Sequence, residues 1–144
     1  MVGFRADGQR SPAVQPLYVA EFTAAEVAAV RARVEELAAQ VGLGPPELGD
    51  WVTAVNELLT NAVRHGGGAG RLYLRYDDRL HCEVRDEGGG FPVDDYLGRS
   101  ARPRLSATGG MGLWIVQQLT DAVVIDSGPG GTTARISIEV RAVR

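Results

Sequence analysis

The sequence predicts an α+β fold, a two-layer sandwich with about three helices on one face of a mainly antiparallel (mixed) sheet. Three observations lead there. Long segments repeat apolar residues at three- and four-residue steps, and short paired segments alternate apolar and polar residues around tight turns. The order strand, helix, helix, hairpin, helix, hairpin then separates most of the helical sequence from the strands. At 144 residues the chain suits one domain with one core.

The elements follow in order. Residues 1–13 belong to a start, MVGFRADGQRSPAVQP, that is rich in Gly, Pro and polar residues and lacks the apolar middle of a signal peptide, so a flexible arm is expected, kept in the mature protein. Residues 14–144 form the single expected domain. Pro16 to Phe22 reads as a short strand. The next segment opens with Thr23 and Glu26 at capping-box spacing, carries Val27, Val30, Val34, Leu37 and Val41 on one helical stripe, and ends at Gly42. A second helix follows Pro45 and Pro46, with Leu48, Trp51, Val52, Val55, Leu58, Leu59 and Ala62 on its apolar face and Gly66 to Gly68 as its stop. Leu72, Leu74 and Tyr76, then Leu80, Cys82 and Val84, alternate with polar residues about Asp77 and Asp78, which predicts a β-hairpin. Residues 91–108 show no periodicity and contain Pro92 and Pro103; this length of connection in a small domain marks a lid. A third helix over Met111 to Thr120 precedes AVVIDS, a turn at GPGG and the alternating strand TTARISIEV.

Composition narrows the function. With 44% hydrophobic and 23% charged residues and no apolar run near the ~18 residues of a membrane span, the chain reads as a cytoplasmic protein without a membrane segment. The net charge of -3, with interspersed signs, argues against direct nucleic-acid binding. The one cysteine, Cys82, cannot form an internal disulfide and reads as a buried thiol. All fifteen basic residues are Arg, which removes the lysine that a P-loop or a eukaryotic-type protein kinase requires.

Several polar positions break the core pattern. Glu57, Asn61 and His65 stand at i, i+4 and i+8, a single column roughly opposite the stripe of Leu48, Val55, Leu59 and Ala62. A solvated face would account for such a column on a lone helix. Asp86 ends a strand with the parity of its core residues, and an inward carboxylate needs donors: either glycine amides of its own turn or a ligand amino group such as that of adenine. Gly88, Gly89 and Gly90 follow, where backbone and ligand can approach closely. Gly109, Gly110 and Gly112 open the third helix, whose free amides and dipole favour a phosphate, unless the cluster is only a hinge. Neither cluster completes G-x-G-x-x-G, because positions 93 and 115 are Val and Ile. Thr132 shares the parity of Ala134, Ile136, Ile138 and Val140, so its hydroxyl points inward.

In this order the pieces resemble the Bergerat ATP-binding fold of DNA gyrase, large heat-shock chaperones, mismatch-repair ATPases and sensor histidine kinases, over about residues 14–140. ELLTNAVRHG looks like the N box, DEGGGF and GGMGLWIV like the two glycine boxes, and GTTARI like the terminal strand. Within that superfamily the chain is similar to the small ATP-binding anti-sigma factors that are also serine kinases. The resemblance implies ATP and Mg²⁺ as cofactors, with Asn61 offering an oxygen to the metal and Glu57 accepting a proton from the attacking hydroxyl. It implies that Asp86 takes the adenine amine with Thr132 helping through a water, that Gly88 and Gly90 shape the base and ribose pocket, and that Gly110, Met111, Gly112 and Leu113 form the phosphate side. Arg99, Arg102 and Arg104 in the lid are candidates for a phosphate or an acidic partner, and His65 is expected to pack at its helix end. The implied partners are a sigma factor and a STAS-type anti-anti-sigma antagonist phosphorylated on serine or threonine, with the chain a homodimer. Two other readings stay open: an ATP-dependent binding module without phosphotransfer, and a stand-alone histidine-kinase catalytic domain.

Overall fold

The computed structural model describes residues 15–89 and 110–141. The expected arm and lid, with Gly90, Arg99, Arg102 and Arg104, lie outside the described residues.

Strand β1 (Pro16–Thr23) leads through one 3-10 turn (Ala24–Glu26) into helix α1 (Val27–Gln40). The predicted capping box forms: the Thr23 amide and hydroxyl both donate to Glu26 Oε1, at 2.8 and 2.7 Å. These two donors, the hydroxyl first, hold the exposed Glu26 carboxyl below its usual range. At the other end Gly42 adopts φ +112, and the amides of Gly42 and Leu43 donate back to the carbonyls of Ala39 and Ala38, a Schellman stop that only a residue tolerant of positive φ makes cheaply.

Helix α2 (Glu47–His65) packs against α1, against helix α3 (Gly110–Leu119) and against the central strands. Its Trp51, Ala54, Val55 and Leu59 are completely buried. They meet Leu72 and Leu74 of strand β2 (Ala69–Tyr76) and Leu80, Cys82 and Val84 of strand β3 (Arg79–Asp86) in one core that also takes Val34 from α1 and Val116 from α3. Burying each of the large aliphatic side chains contributes roughly 1.5–3 kcal/mol before entropy is counted. Burial also pushes the Cys82 thiol pKa upward, so it stays a neutral packing group.

Strands β4 (Ala122–Gly128) and β5 (Gly131–Glu139) complete a five-stranded sheet in the order β1-β2-β3-β5-β4. All four pairings are antiparallel, so the allowance for a mixed sheet is corrected among the described residues. One other expectation changes: Tyr76 has core parity but is 37% exposed, because it occupies the last rung before the Asp77–Asp78 turn. The register matters for function. Insertion of β5 between β3 and β4 sets Thr132 opposite Asp86 on one side and opposite Ser127 on the other, so three polar residues share a rung at one end of the core face.

Candidate nucleotide site

That rung is built on glycine. Asp86 Oδ1 accepts the Gly88 amide at 3.0 Å and the Thr132 amide at 3.2 Å. Among the described residues no donor reaches Oδ2. The first sequence alternative holds for Oδ1, which takes the amide of its own turn together with that of Thr132 from the neighbouring strand. A methyl carbon placed on Gly66 would lie 2.4 Å from Oδ2, and one placed on Gly88 would lie 2.5 Å from the Gly66 Cα. Gly88 thus lets the exit of β3 cross the end of α2, an approach more specific than the ribose-shaping role read from the sequence. On Gly131 the added carbon would fall 2.1 Å from the Asp86 carbonyl oxygen, and that glycine has φ +133. Three glycines thus let backbones close around Asp86, Gly66 against its carboxylate and Gly131 against its carbonyl, while Gly88 packs on Gly66.

Thr132 is 8% exposed, as its parity predicts, and its Oγ1 is 2.7 Å from Ser127 Oγ. Asn61, Asp86, Thr132 and Leu113 border a void of about 20 Å³ floored by Val84 and Ala134. A single water fits in such a space, whereas small-molecule pockets usually measure roughly 300–1,000 Å³, so a purine must push α3 or Leu113 outward to enter. A larger groove of about 720 Å³ shares only Asp86 with it and opens beside Gly66, Tyr73, Arg71 and Arg85 on the sheet's outer face. Its Arg71 and Arg85 are paired with Glu21 and Glu83, and neither Asn61 nor Thr132 borders it. The smaller space is the better candidate because Asp86, Asn61 and Thr132 border it together, whereas of these three only Asp86 borders the groove.

The polar column on α2 departs from its helical-wheel picture. Glu57, Asn61 and His65 are all partly buried, not a solvated face, because α3 packs along that side of α2. The contact is close: a methyl carbon on Gly112 would lie 2.3 Å from Glu57 Oε1. Gly112, read from sequence as a phosphate-binding amide, thus has a second duty, leaving room for the carboxylate of Glu57 beside the start of α3. Gly110 and Met111 form the first two positions of that helix, the end whose amides favour an anion. His65 sits at the last position of α2, as expected. Among the described residues no three His, Cys, Asp or Glu side chains gather to hold a metal. Asn61 alone suits Mg²⁺, which keeps several waters and takes the rest of its ligands from phosphate oxygens.

Two site residues carry no mark in the sequence: Gly66 reads only as a helix stop, and Ser127 lies unmarked in AVVIDS. Glu83 is likewise unmarked, 7% exposed on the outer face and paired with Arg85 and, at 2.9 Å, with Arg135. Only the strand register could have signalled these.

Comparison with known proteins supplies the family. The family model described as "Histidine kinase-like ATPase domain" matches residues 20–138. The chain is 32% identical over 123 residues to the serine-protein kinase RsbW of Bacillus pumilus, covering 75% of each protein. It is 33% identical over 117 residues to the anti-sigma F factor of Bacillus licheniformis, covering 74% of this chain and 80% of that one. In fold it is similar to a Mycobacterium tuberculosis protein with RsbU and RsbW domains, at TM-score 0.58 and 22% identity over 95% of this chain but only 36% of that longer one. It is likewise similar to the mycobacterial sensor histidine kinase MprB, at TM-score 0.53 and 22% identity, covering 88% of this chain and all of that one. Among the described residues no helix is long and apolar enough to cross a membrane. The chain belongs to the histidine kinase-like ATPase domain family, whose membership implies the use of ATP, and its relatives there include RsbW-type serine-protein kinases and anti-sigma F factors.

Proposed function

We propose that this protein is an ATP-binding anti-sigma factor that phosphorylates a serine or threonine of an anti-anti-sigma antagonist. It acts in the cytoplasm as a homodimer and sequesters its sigma factor when the antagonist is phosphorylated. The observation that carries the nucleotide reading is the divided carboxylate of Asp86, one oxygen held by two amides and the other without a donor among the described residues, on the same rung as a buried threonine. An acceptor facing into a nearly dry site selects an exocyclic amine, which adenine has at that edge.

Bound Mg-ATP supplies the transferable phosphoryl group and the charge neutralisation its transfer demands. The chain's own residues do the rest. Asp86 and Thr132 orient the base, Asn61 offers a carboxamide oxygen to the cation, and the first amides of α3 at Gly110, Met111 and Gly112 face the phosphates. Leu113 closes the site against water, being 3% exposed. Glu57 takes the proton of the attacking hydroxyl as its oxygen bonds to the terminal phosphorus and the bond to the bridging oxygen breaks, leaving ADP.

Incubation with γ-labelled ATP and the antagonist is the direct test. Label on serine or threonine supports the kinase, and nucleotide binding without label supports a binding module. Two substitutions probe the site. Asn61→Ala is expected to abolish the Mg²⁺ dependence of ATP binding in calorimetry while leaving the melting curve intact; an unchanged metal dependence removes the ligand assignment. Asp86→Asn is expected to weaken ATP at least tenfold, since the side chain then presents a donor in one of its two positions; equal ATP affinities contradict the base assignment.

A further inference from the structure

Asp86 and Thr132 divide the work of reading a purine edge, but only one of them has a fixed polarity. An ionised carboxylate can only accept, whereas a threonine hydroxyl accepts or donates according to where its proton points. Adenine offers an amine donor beside a ring-nitrogen acceptor; guanine offers a carbonyl acceptor beside a ring N–H donor. To match adenine next to Asp86, the Thr132 proton must point into the void, toward the ring nitrogen or a water bridging to it.

The direction of that proton is decided behind the site. Ser127 lies opposite Thr132 on β4, its Oγ 2.7 Å from Thr132 Oγ1, and it does not border the void. Within such a pair one hydroxyl donates and the other accepts. If Ser127 donates, it occupies a lone pair of Thr132 and leaves the threonine proton free to face the void. Without Ser127, the Thr132 hydroxyl rotates to present either polarity.

We propose that Ser127 is a positioning residue for purine selection, which by donating to Thr132 keeps that hydroxyl a donor toward the base and so biases the site to adenine over guanine. This rests on the nucleotide reading above. Ser127 does not border the void itself and reaches it only through Thr132, so its expected effect is on discrimination more than on the general capacity to bind.

The test is calorimetry of ATP and GTP with the full chain and with Ser127→Ala and Ser127→Thr. The expected result is a fall of about tenfold in the ATP-to-GTP affinity ratio for Ser127→Ala, mainly through a gain for GTP, and return toward the wild-type ratio in Ser127→Thr, which restores the donor. Thermal melts establish that each variant is folded. If Ser127→Ala does not fold, Ser127→Thr alone decides: loss of the wild-type preference in that folded variant overturns the proposal. A wild-type preference for ATP that survives unchanged in Ser127→Ala overturns this assignment and leaves the nucleotide site standing. A wild-type chain with no adenine preference overturns both.

Discussion

Glu57→Gln is expected to lower phosphoryl transfer to the antagonist by roughly 10²- to 10⁴-fold, the range removed when a positioned general base is lost. The two side chains have nearly the same shape, and Glu57 sits partly buried against Gly112, so the packing between α2 and α3 survives the change. What disappears is the capacity to take a proton. ATP affinity is expected to stay within about threefold, because the base contributes to the transition state and not to ground-state binding. Single-turnover transfer of labelled phosphate, with ATP binding measured in parallel, separates the two quantities. A variant that transfers phosphate at the wild-type rate removes Glu57 from the mechanism and favours a role for this carboxylate in packing alone.

Gly131→Ala is expected to be the most damaging single-methyl change among the described residues. The position has φ +133, which a side chain rarely adopts, and the new carbon would lie 2.1 Å from the Asp86 carbonyl oxygen and 2.9 Å from the Glu87 Cα. Both obstacles are backbone, so neither can swing aside. The cost is expected to reach about 3 kcal/mol or more, a fall of roughly 10 °C in melting temperature for a chain of this size. Gly130→Ala is the matched control: nothing lies within 4 Å of its added carbon, and the change is expected to fall within about 0.5 kcal/mol of wild type. Equal melting temperatures for the two variants contradict the close approach of the β4–β5 turn to the end of β3. Should Gly131→Ala fold, its ATP affinity is expected to drop as well, since the displaced backbone is the one that carries Asp86.

Much of this was legible in the sequence because periodicity reports on one face at a time. The stripe of Val30, Val34 and Leu37 and the alternation of Leu72 with Leu74 gave helix and strand their sides correctly, and the parity of Asp86 and Thr132 put both on the core face. Periodicity does not say which element lies beside another. The column of Glu57, Asn61 and His65 looked solvated on its own wheel, and only the placement of α3 next to α2 encloses it. Glu83 alternates outward and by pattern belongs to water, yet Arg85 and Arg135 from its own and the neighbouring strand close over it. Gly66 and Gly131 look like ordinary punctuation until the chain is folded, when Gly66 proves to face the Asp86 carboxylate and Gly131 the Asp86 backbone carbonyl. Ser127 gained its meaning from the insertion of β5 between β3 and β4, an order that no local pattern encodes.

The position of Asp86 and Thr132 on β3 and β5 has a consequence beyond recognition. Those strands are interior, with β2 and β4 bonded on either side, so the rung they share is tied into the middle of the sheet and not to an edge strand. On the proposed reading, a nucleotide bound there would stabilise the folded chain as a whole, by about 2.7 kcal/mol when its concentration is a hundred times the dissociation constant.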